Sequence, residues 1–290
     1  MKIILSSNPY RDRGLKATQE AQRILERAGA QTVICLPFVP KKGERVEVPR
    51  QVTLSDLFEE LPTADLLICF GGDGTILHAA RDATLHDVPI LGVNMGSVGF
   101  MAELERSELA LLAPLTQGRY TIEERMMLDV RVFRGEKLVS QDLALNDAVI
   151  SKGSMARVAE MEVLADQTPV TTVTGDGVIV ATPTGSTAYS MSAGGPIVEP
   201  TSRAIILTPV CAHRLAARAM VLAPERIVTV RLPRNARRNL YLSVDGGKAV
   251  RLSGGDRVEI SRSAHTTKLV LLGNRSFYQV INQKLGGYTQ

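Results

Sequence analysis

Cysteine is scarce in this 290-residue chain: Cys35, Cys69 and Cys211 lie far apart and not at metal-ligand spacing. That excludes a disulfide framework and predicts three buried free thiols in a reducing, cytoplasmic compartment. Aromatic residues make up only 4% of the chain, and the densest basic run, "RLPRNARRNL", carries Arg231, Arg234, Arg237 and Arg238 with no aromatic between them. A net charge of +4 is too mild to point to nucleic acid, so the run reads as a solvated loop and the charge as suited to anionic phosphates. Long hydrophobic runs are missing as well. The opening "MKIILSSNPYRD" has three consecutive strongly apolar residues and no later run reaches bilayer length, so no membrane association is expected. Internal repeats and low-complexity segments are also absent, apart from recurring Asp-Gly pairs.

What is present divides by texture. The length and 44% hydrophobic content predict about two domains. Residues 1–118 alternate short apolar runs ("KIILSS", "QTVICLPF", "DLLICF", "VPILGVN") with helical patterns over 17–28 and in "TILHAARDATLH". That is the reading of an α/β domain with a parallel sheet. Residues 119–265 change to β-branched, alternating segments such as "MLDVRVFR", "LALNDAVIS", "AEMEVLAD", "GVIVATP" and "DRVEISR", which predict a largely antiparallel domain. In 266–290, "SFYQVINQKL" returns to helical spacing through Phe277, Val280, Ile281 and Leu285, a tail expected to pack back on the first domain.

Two stretches carry the chemistry. In "CFGGDGTIL" a strand ends in Gly71-Gly72-Asp73-Gly74, with a helix expected from Thr75. Glycines at the carboxyl edge of a sheet let phosphates approach the backbone, whereas a carboxylate among them repels phosphate unless a metal or a hydroxyl proton intervenes. Asp73 therefore reads either as a turn residue, with Thr75 as helix cap, or as a reacting group. In "GDGVIVATPTGSTAYSMSAGGP" the hydroxyls of Thr182, Thr184, Ser186, Thr187, Tyr189, Ser190 and Ser192 crowd a loop straight after a strand. A cap and a polar turn account for about two of them, and a helix beginning near Ser186 or Thr187 would aim its free N–H groups at a polar ligand. Asp176, between two glycines, repeats the device at Asp73, so each domain is expected to offer a carboxylate to one cleft.

Together with "NMGSVGF" (94–100), "NDAV" (146–149) and "TPVCAH" (208–213), these stretches resemble the NAD kinases. The resemblance implies transfer of the ATP γ-phosphate to the adenosine 2′-hydroxyl of NAD, with magnesium or another divalent metal accompanying ATP. It implies a Rossmann-like N-terminal domain, a β-sandwich-like C-terminal domain whose tail returns to the first, and a homodimer or homotetramer. Asp73 matches the family's general base, with Gly74 beside it, and Phe100 an aromatic packed on the dinucleotide. Asn146 and Asp147 match the pair holding the adenosine half, and Asp176 a substrate-binding carboxylate. Thr187, Ala188, Tyr189, Ser190, Met191 and Ser192 match the adenine and ribose pocket. His78 and Arg157 are weaker candidates for phosphate and dinucleotide contact, each weighed against a solvated surface residue. His213 is expected to make a structural hydrogen bond, and Lys152 and Lys248 to be solvated charges. Asp147, Thr174 and Gly247 depart from the family pattern, which has glutamate, a basic residue and glutamine there. Lipid kinases and phosphofructokinases share a "GGDGT"-like turn, and a non-catalytic NAD sensor would keep the same pocket; both remain alternatives at this point.

Overall fold

The computed structural model describes residues 1–38, 46–96, 99–153, 158–213, 217–234, 240–273 and 275–286. They form two compact units, one of residues 1–124 with 267–290, the other of residues 125–266.

The first unit is built on parallel strands in the spatial order Leu54–Ser55, Gln31–Cys35, Lys2–Ser7, Leu66–Gly71 and Ile90–Asn94. Leu269 pairs with Ile90 on the far side. By chain order this is the 3-2-1-4-5 arrangement of doubly wound folds, in which the strand order reverses between Lys2–Ser7 and Leu66–Gly71. Leu66–Gly71 is buried throughout, which explains its continuous apolar run: both faces of a parallel strand are covered. The helix Lys16–Arg27 buries Ala17, Ala21 and Leu25 against Ile3, Leu5 and Ile68, and ends before Gly29, whose φ of 90° only glycine adopts readily. No helix among the described residues is long and apolar enough to cross a membrane.

The second unit is a sandwich of antiparallel sheets. One contains Thr168–Gly175, Ala159–Ala165, Val228–Arg231 and the first part of Asp256–Leu271. The other runs Met220–Leu222, Ile205–Val210, Gly177–Ala181, Asp147–Lys152, Leu240–Val244, Val250–Leu252. Their facing sides share one core, in which Met161, Val163 and Val230 of the first sheet meet Ile150, Val178 and Leu207 of the second. The central strand Gly177–Ala181 is buried on both faces because Ala193 and Val198 cover its other side, packed on Ile179 and Ile206.

Some local expectations are corrected. "LALNDAVIS" is two strands, Lys137–Ala144 and Asp147–Lys152, broken at Leu145 and Asn146. Cys211 is exposed, and only Cys35 and Cys69 are buried thiols. Burial pushes both of those up to about 12, so they stay protonated and inert.

Candidate active site

In the first unit the helix that follows the glycine turn begins at Asp73, two residues earlier than expected, and Gly72 rather than Thr75 occupies the cap position. Asp73 is thus the first residue of the helix Asp73–Leu85, with its side chain at the positive end of the helix dipole. Its carboxylate is fixed from across the sheet: the N–H of Phe100 donates to Oδ2 at 2.9 Å and that of Met101 to Oδ1 at 3.1 Å. Each oxygen keeps a second lone pair, so the group can still accept a proton. Gly99 makes this possible, because a Cβ there would run into the Asp73 carboxylate.

The stretch bearing Phe100 is anchored in turn. The N–H of Met95 donates to the Gly71 carbonyl at 2.8 Å, and the buried amide of Asn94 donates to both carboxylate oxygens of Glu105. Arg275 pairs with Glu105 at 2.9 Å, the N–H of Leu272 donates to Glu103 at 2.7 Å, and Lys284 of the helix Phe277–Leu285 places Nζ 4.2 Å from the centroid of the Phe100 ring. The site therefore lies at the carboxyl ends of the strands, where the strand order reverses and the backbone of Asn8 bonds that of Phe70, the position at which open α/β sheets bind ligands. Gly72 and Gly74 face open space, whereas Gly71 is packed against Thr75. His78 is exposed on the same helix.

In the second unit Asp147 opposes Ala181 in the ladder, which sets Asn146 beside Thr182. The N–H of Thr182 donates to the Asn146 carbonyl at 2.9 Å, and a Cβ on Gly185 would overlap that same carbonyl. From the other side the Asp245 carboxylate accepts the N–H groups of Leu145, Asn146 and Asp147 at 2.7, 2.8 and 2.9 Å. These bonds break the strand at Leu145. Asp147 is 5% exposed, and burial, then the charge of Asp245, pushes its carboxyl up to about 7. Burial also raises Asp245, to about 6, against the pull of its three amide donors.

The hydroxyl-rich loop is a 3-10 turn, Thr184–Thr187, followed by the short helix Tyr189–Ser192, so an α-helix does not begin at Ser186 or Thr187. Its hydroxyls are mostly engaged internally. Thr182 donates to the Leu145 carbonyl, Thr187 to that of Thr184, Ser186 both gives and takes a bond with Val198, and Ser190 shares one with Thr208 at 2.8 Å. Ser190 is fully buried. The density of hydroxyls is therefore chiefly structural, contrary to the expectation that a turn uses about two. Tyr189, 47% exposed, and Ser192 are the outward hydroxyls of the short helix, with Ala188 and Met191 half-buried beside them.

Asp176 stands between the strands Thr168–Gly175 and Gly177–Ala181 and is bound by Lys152, Nζ to Oδ1 at 2.6 Å, so Lys152 is not the solvated charge expected. Lys248 is exposed. His213 bonds through its backbone N–H to the Thr174 carbonyl. Arg157 lies outside the described residues. Sequence reasoning passed over Asp245 and Lys284, and it read Lys152 as a solvated charge. Asp245 had a visible signal, since "VDGG" repeats the Asp-Gly pair found at Asp73 and Asp176.

Comparison with known proteins agrees with this geometry. Residues 3–120 match the family model described as the ATP-NAD kinase N-terminal domain, and residues 145–272 match the ATP-NAD kinase C-terminal domain. The NAD kinase of Ruminiclostridium cellulolyticum is 37% identical over 98% of this chain and 97% of its own, and that of Natranaerobius thermophilus 44% identical over 80% and 81%. Among solved structures, yeast NADH kinase complexed with NADH superposes with a TM-score of 0.84 at 23% identity, covering 100% of this chain and 89% of that one. An NAD kinase from Archaeoglobus fulgidus in complex with ATP does so at 0.72 and 24%, covering 99% of each chain. The lipid-kinase and phosphofructokinase alternatives have no support beside two family matches that take in both the glycine turn and the hydroxyl-rich loop. With both halves matched and a relative similar over nearly its whole length, the chain belongs to the ATP-NAD kinase family.

Proposed function

We propose that this protein transfers the γ-phosphate of ATP to the 2′-hydroxyl of the adenosine ribose of NAD, and that Asp73 accepts the hydroxyl proton. The observation that carries the reading is the Asp73 carboxylate, fixed by two amide donors at a ligand-binding strand end while keeping free lone pairs. Phosphoryl transfer needs little covalent chemistry from a protein: it needs the acceptor held in line, charge neutralised on the phosphates, and a group to orient and deprotonate the hydroxyl. As the acceptor oxygen bonds to the γ-phosphorus, the bond to the ADP oxygen breaks and the proton passes to Asp73.

The other residues divide the work of binding. Gly72 and Gly74 leave the backbone open to phosphates, and Phe100 offers a ring to the dinucleotide. Asn146 and Asp147 hold the adenosine half, while Thr187, Ala188, Tyr189, Met191 and Ser192 line its pocket. Ser190 supports that wall from inside through Thr208. Asp176, tied to Lys152, contributes a carboxylate whose charge is already balanced.

Among the described residues no three His, Cys, Asp or Glu side chains gather to cage a metal. Magnesium accompanying ATP favours phosphate and water ligands over an all-protein cage. When bound with ATP, the ion would supply positive charge that neutralises the phosphates. A cytoplasmic setting, supported by the buried free thiols, and a homo-oligomeric state belong to the same proposal.

The test is direct. Incubation with ATP, magnesium and NAD is expected to yield NADP and ADP in equal amounts, and a diacylglycerol in place of NAD to yield no phosphorylated lipid. NAD binding without NADP formation would return the protein to a sensor role.

A further inference from the structure

Asp245 lies about a hundred residues beyond the Asn146–Asp147 turn, in a hairpin corner with a local explanation of its own. The strand Leu240–Val244 ends there, Asp245 and Gly246 both have positive φ (49° and 70°), and the N–H of Gly247 donates to the Val244 carbonyl at 2.8 Å. Two left-handed central residues closed by that bond make a type I′ turn, for which Asn-Gly and Asp-Gly are both favoured sequences. The turn alone therefore does not distinguish aspartate from asparagine.

The second set of contacts does. Oδ1 accepts the N–H groups of both Asn146 and Asp147, and Oδ2 accepts that of Leu145. Three consecutive amides converge on both oxygens of one side chain, which only a carboxylate can satisfy. The N–H of Asp245 also returns a bond to the Asp147 carbonyl at 2.9 Å, and Val244 pairs with Ala148, so the corner and the turn are locked in register. On its other side the turn is held by Thr182 and crowded by Gly185.

We propose that Asp245 is a positioning residue for the dinucleotide acceptor, its carboxylate holding the three backbone amides that present the Asn146 and Asp147 side chains. It acts through those two residues, and the proposal rests on their role as the adenosine-binding pair. Charge-assisted bonds to backbone amides are about twice as strong as neutral ones, so the clamp fixes the turn before the ligand arrives and lowers the ordering cost of binding.

The discriminating variant is Asp245→Asn. Asparagine keeps the type I′ turn and one acceptor oxygen but turns an NH2 group against a backbone donor, so the corner survives and the clamp opens. NAD affinity by calorimetry, with its KM, is expected to weaken about 10- to 100-fold, in line with the loss of a charged acceptor. The KM for ATP is expected to stay within about threefold, since the clamp touches no donor-binding residue, and kcat to fall less than NAD affinity does. A double-mutant cycle with Asn146→Ala completes the test: with Asn146 already removed, Asp245→Asn should cost much less in NAD affinity. Unchanged NAD affinity in the folded variant, an equal rise in both KM values, or full additivity with Asn146→Ala would each overturn the proposal. Should Asp245→Asn fold poorly, Asp245→Glu, which keeps the charge but displaces the carboxylate by one methylene from the three donors, gives the same readout. NADP formation by the unaltered protein tests the kinase reading separately, so kinase activity with an additive cycle removes Asp245 alone.

Discussion

Asp73 and Asp147 are carboxylates at the first position of a helix and of a strand, each tied to a distant part of the chain, and they are held in opposite ways. At Asp73 the side chain itself is gripped, two amides from residues 100 and 101 bonding its oxygens, and it remains partly open to solvent. At Asp147 the main chain is gripped, its N–H taken by Asp245, while the side chain is buried to 5% exposure. A group that moves a proton must keep a fixed oxygen and access to its partner. A group that binds gains more from a rigid backbone and a dry environment.

The sharpest way to break this contrast is Asp73→Asn. Loss of the base is expected to lower kcat about 10²–10⁴-fold with NAD affinity little changed and the thermal midpoint lowered only modestly, by the one backbone donor that then faces the amide NH2. Normal turnover would reduce Asp73 to a helix-start residue. Gly185→Ala should come next: its Cβ must displace the Asn146 carbonyl, at about 1–3 kcal/mol of stability, together with weaker NAD binding. Calorimetry and denaturant titration check both effects. Asn146→Ala leaves the backbone clamp in place and should cost about 1–3 kcal/mol in NAD binding alone. An unchanged affinity in that variant would remove Asn146 from the site.

The contrast also has a pH signature. The folded-state values of Asp147 and Asp245 lie above the ordinary 3.8, at about 7 and about 6. The fold thus favours their protonated forms: the contribution to stability is fully present below about pH 4 and is lost as pH rises toward 7. Asp147→Asn removes one of these groups. Its thermal midpoint relative to the unaltered protein should therefore rise between pH 4 and pH 7.5, and a flat difference would contradict the buried, raised carboxyl. The smallest expected effect is that of Tyr189→Phe, about 0.5–1.5 kcal/mol in NAD affinity with no change in stability, because the ring is 47% exposed and the core does not depend on it.

How much of this was legible in the sequence follows the range of the interactions. The glycine turn and the parallel strands were readable because glycine and apolar runs act locally. The strand Thr168–Gly175 was not, since it is polar and contains Pro169; it lies at a sheet edge, where a missing N–H is tolerated. The break in "LALNDAVIS" was hidden because its cause, Asp245, is about a hundred residues away. The hydroxyl-rich loop was readable as a feature, but the number of its hydroxyls tied up internally was not, because the partners of Ser186 and Ser190, at Val198 and Thr208, cannot be seen without the fold. Lys152 is a similar case: its partner Asp176 was recognised, but the ladder that brings the two together was not.

The division of the chain has a consequence for synthesis. Residues 125–266 form one continuous stretch, whereas the first unit needs residues 1–124 and those from 267 onward. A ribosome working from the amino end therefore makes every part of the sandwich before it makes Leu269, which pairs with Ile90, or Thr267, which shares a hydroxyl bond with Thr84. Until then one edge of the strand Ile90–Asn94 lacks that neighbour, and an open strand edge in a nascent chain is a template for wrong pairing. Lys284, which covers the ring of Phe100, emerges later still. The aspartate proposed to start the chemistry acquires its finished surroundings only after some two hundred further residues, up to Lys284, have been translated.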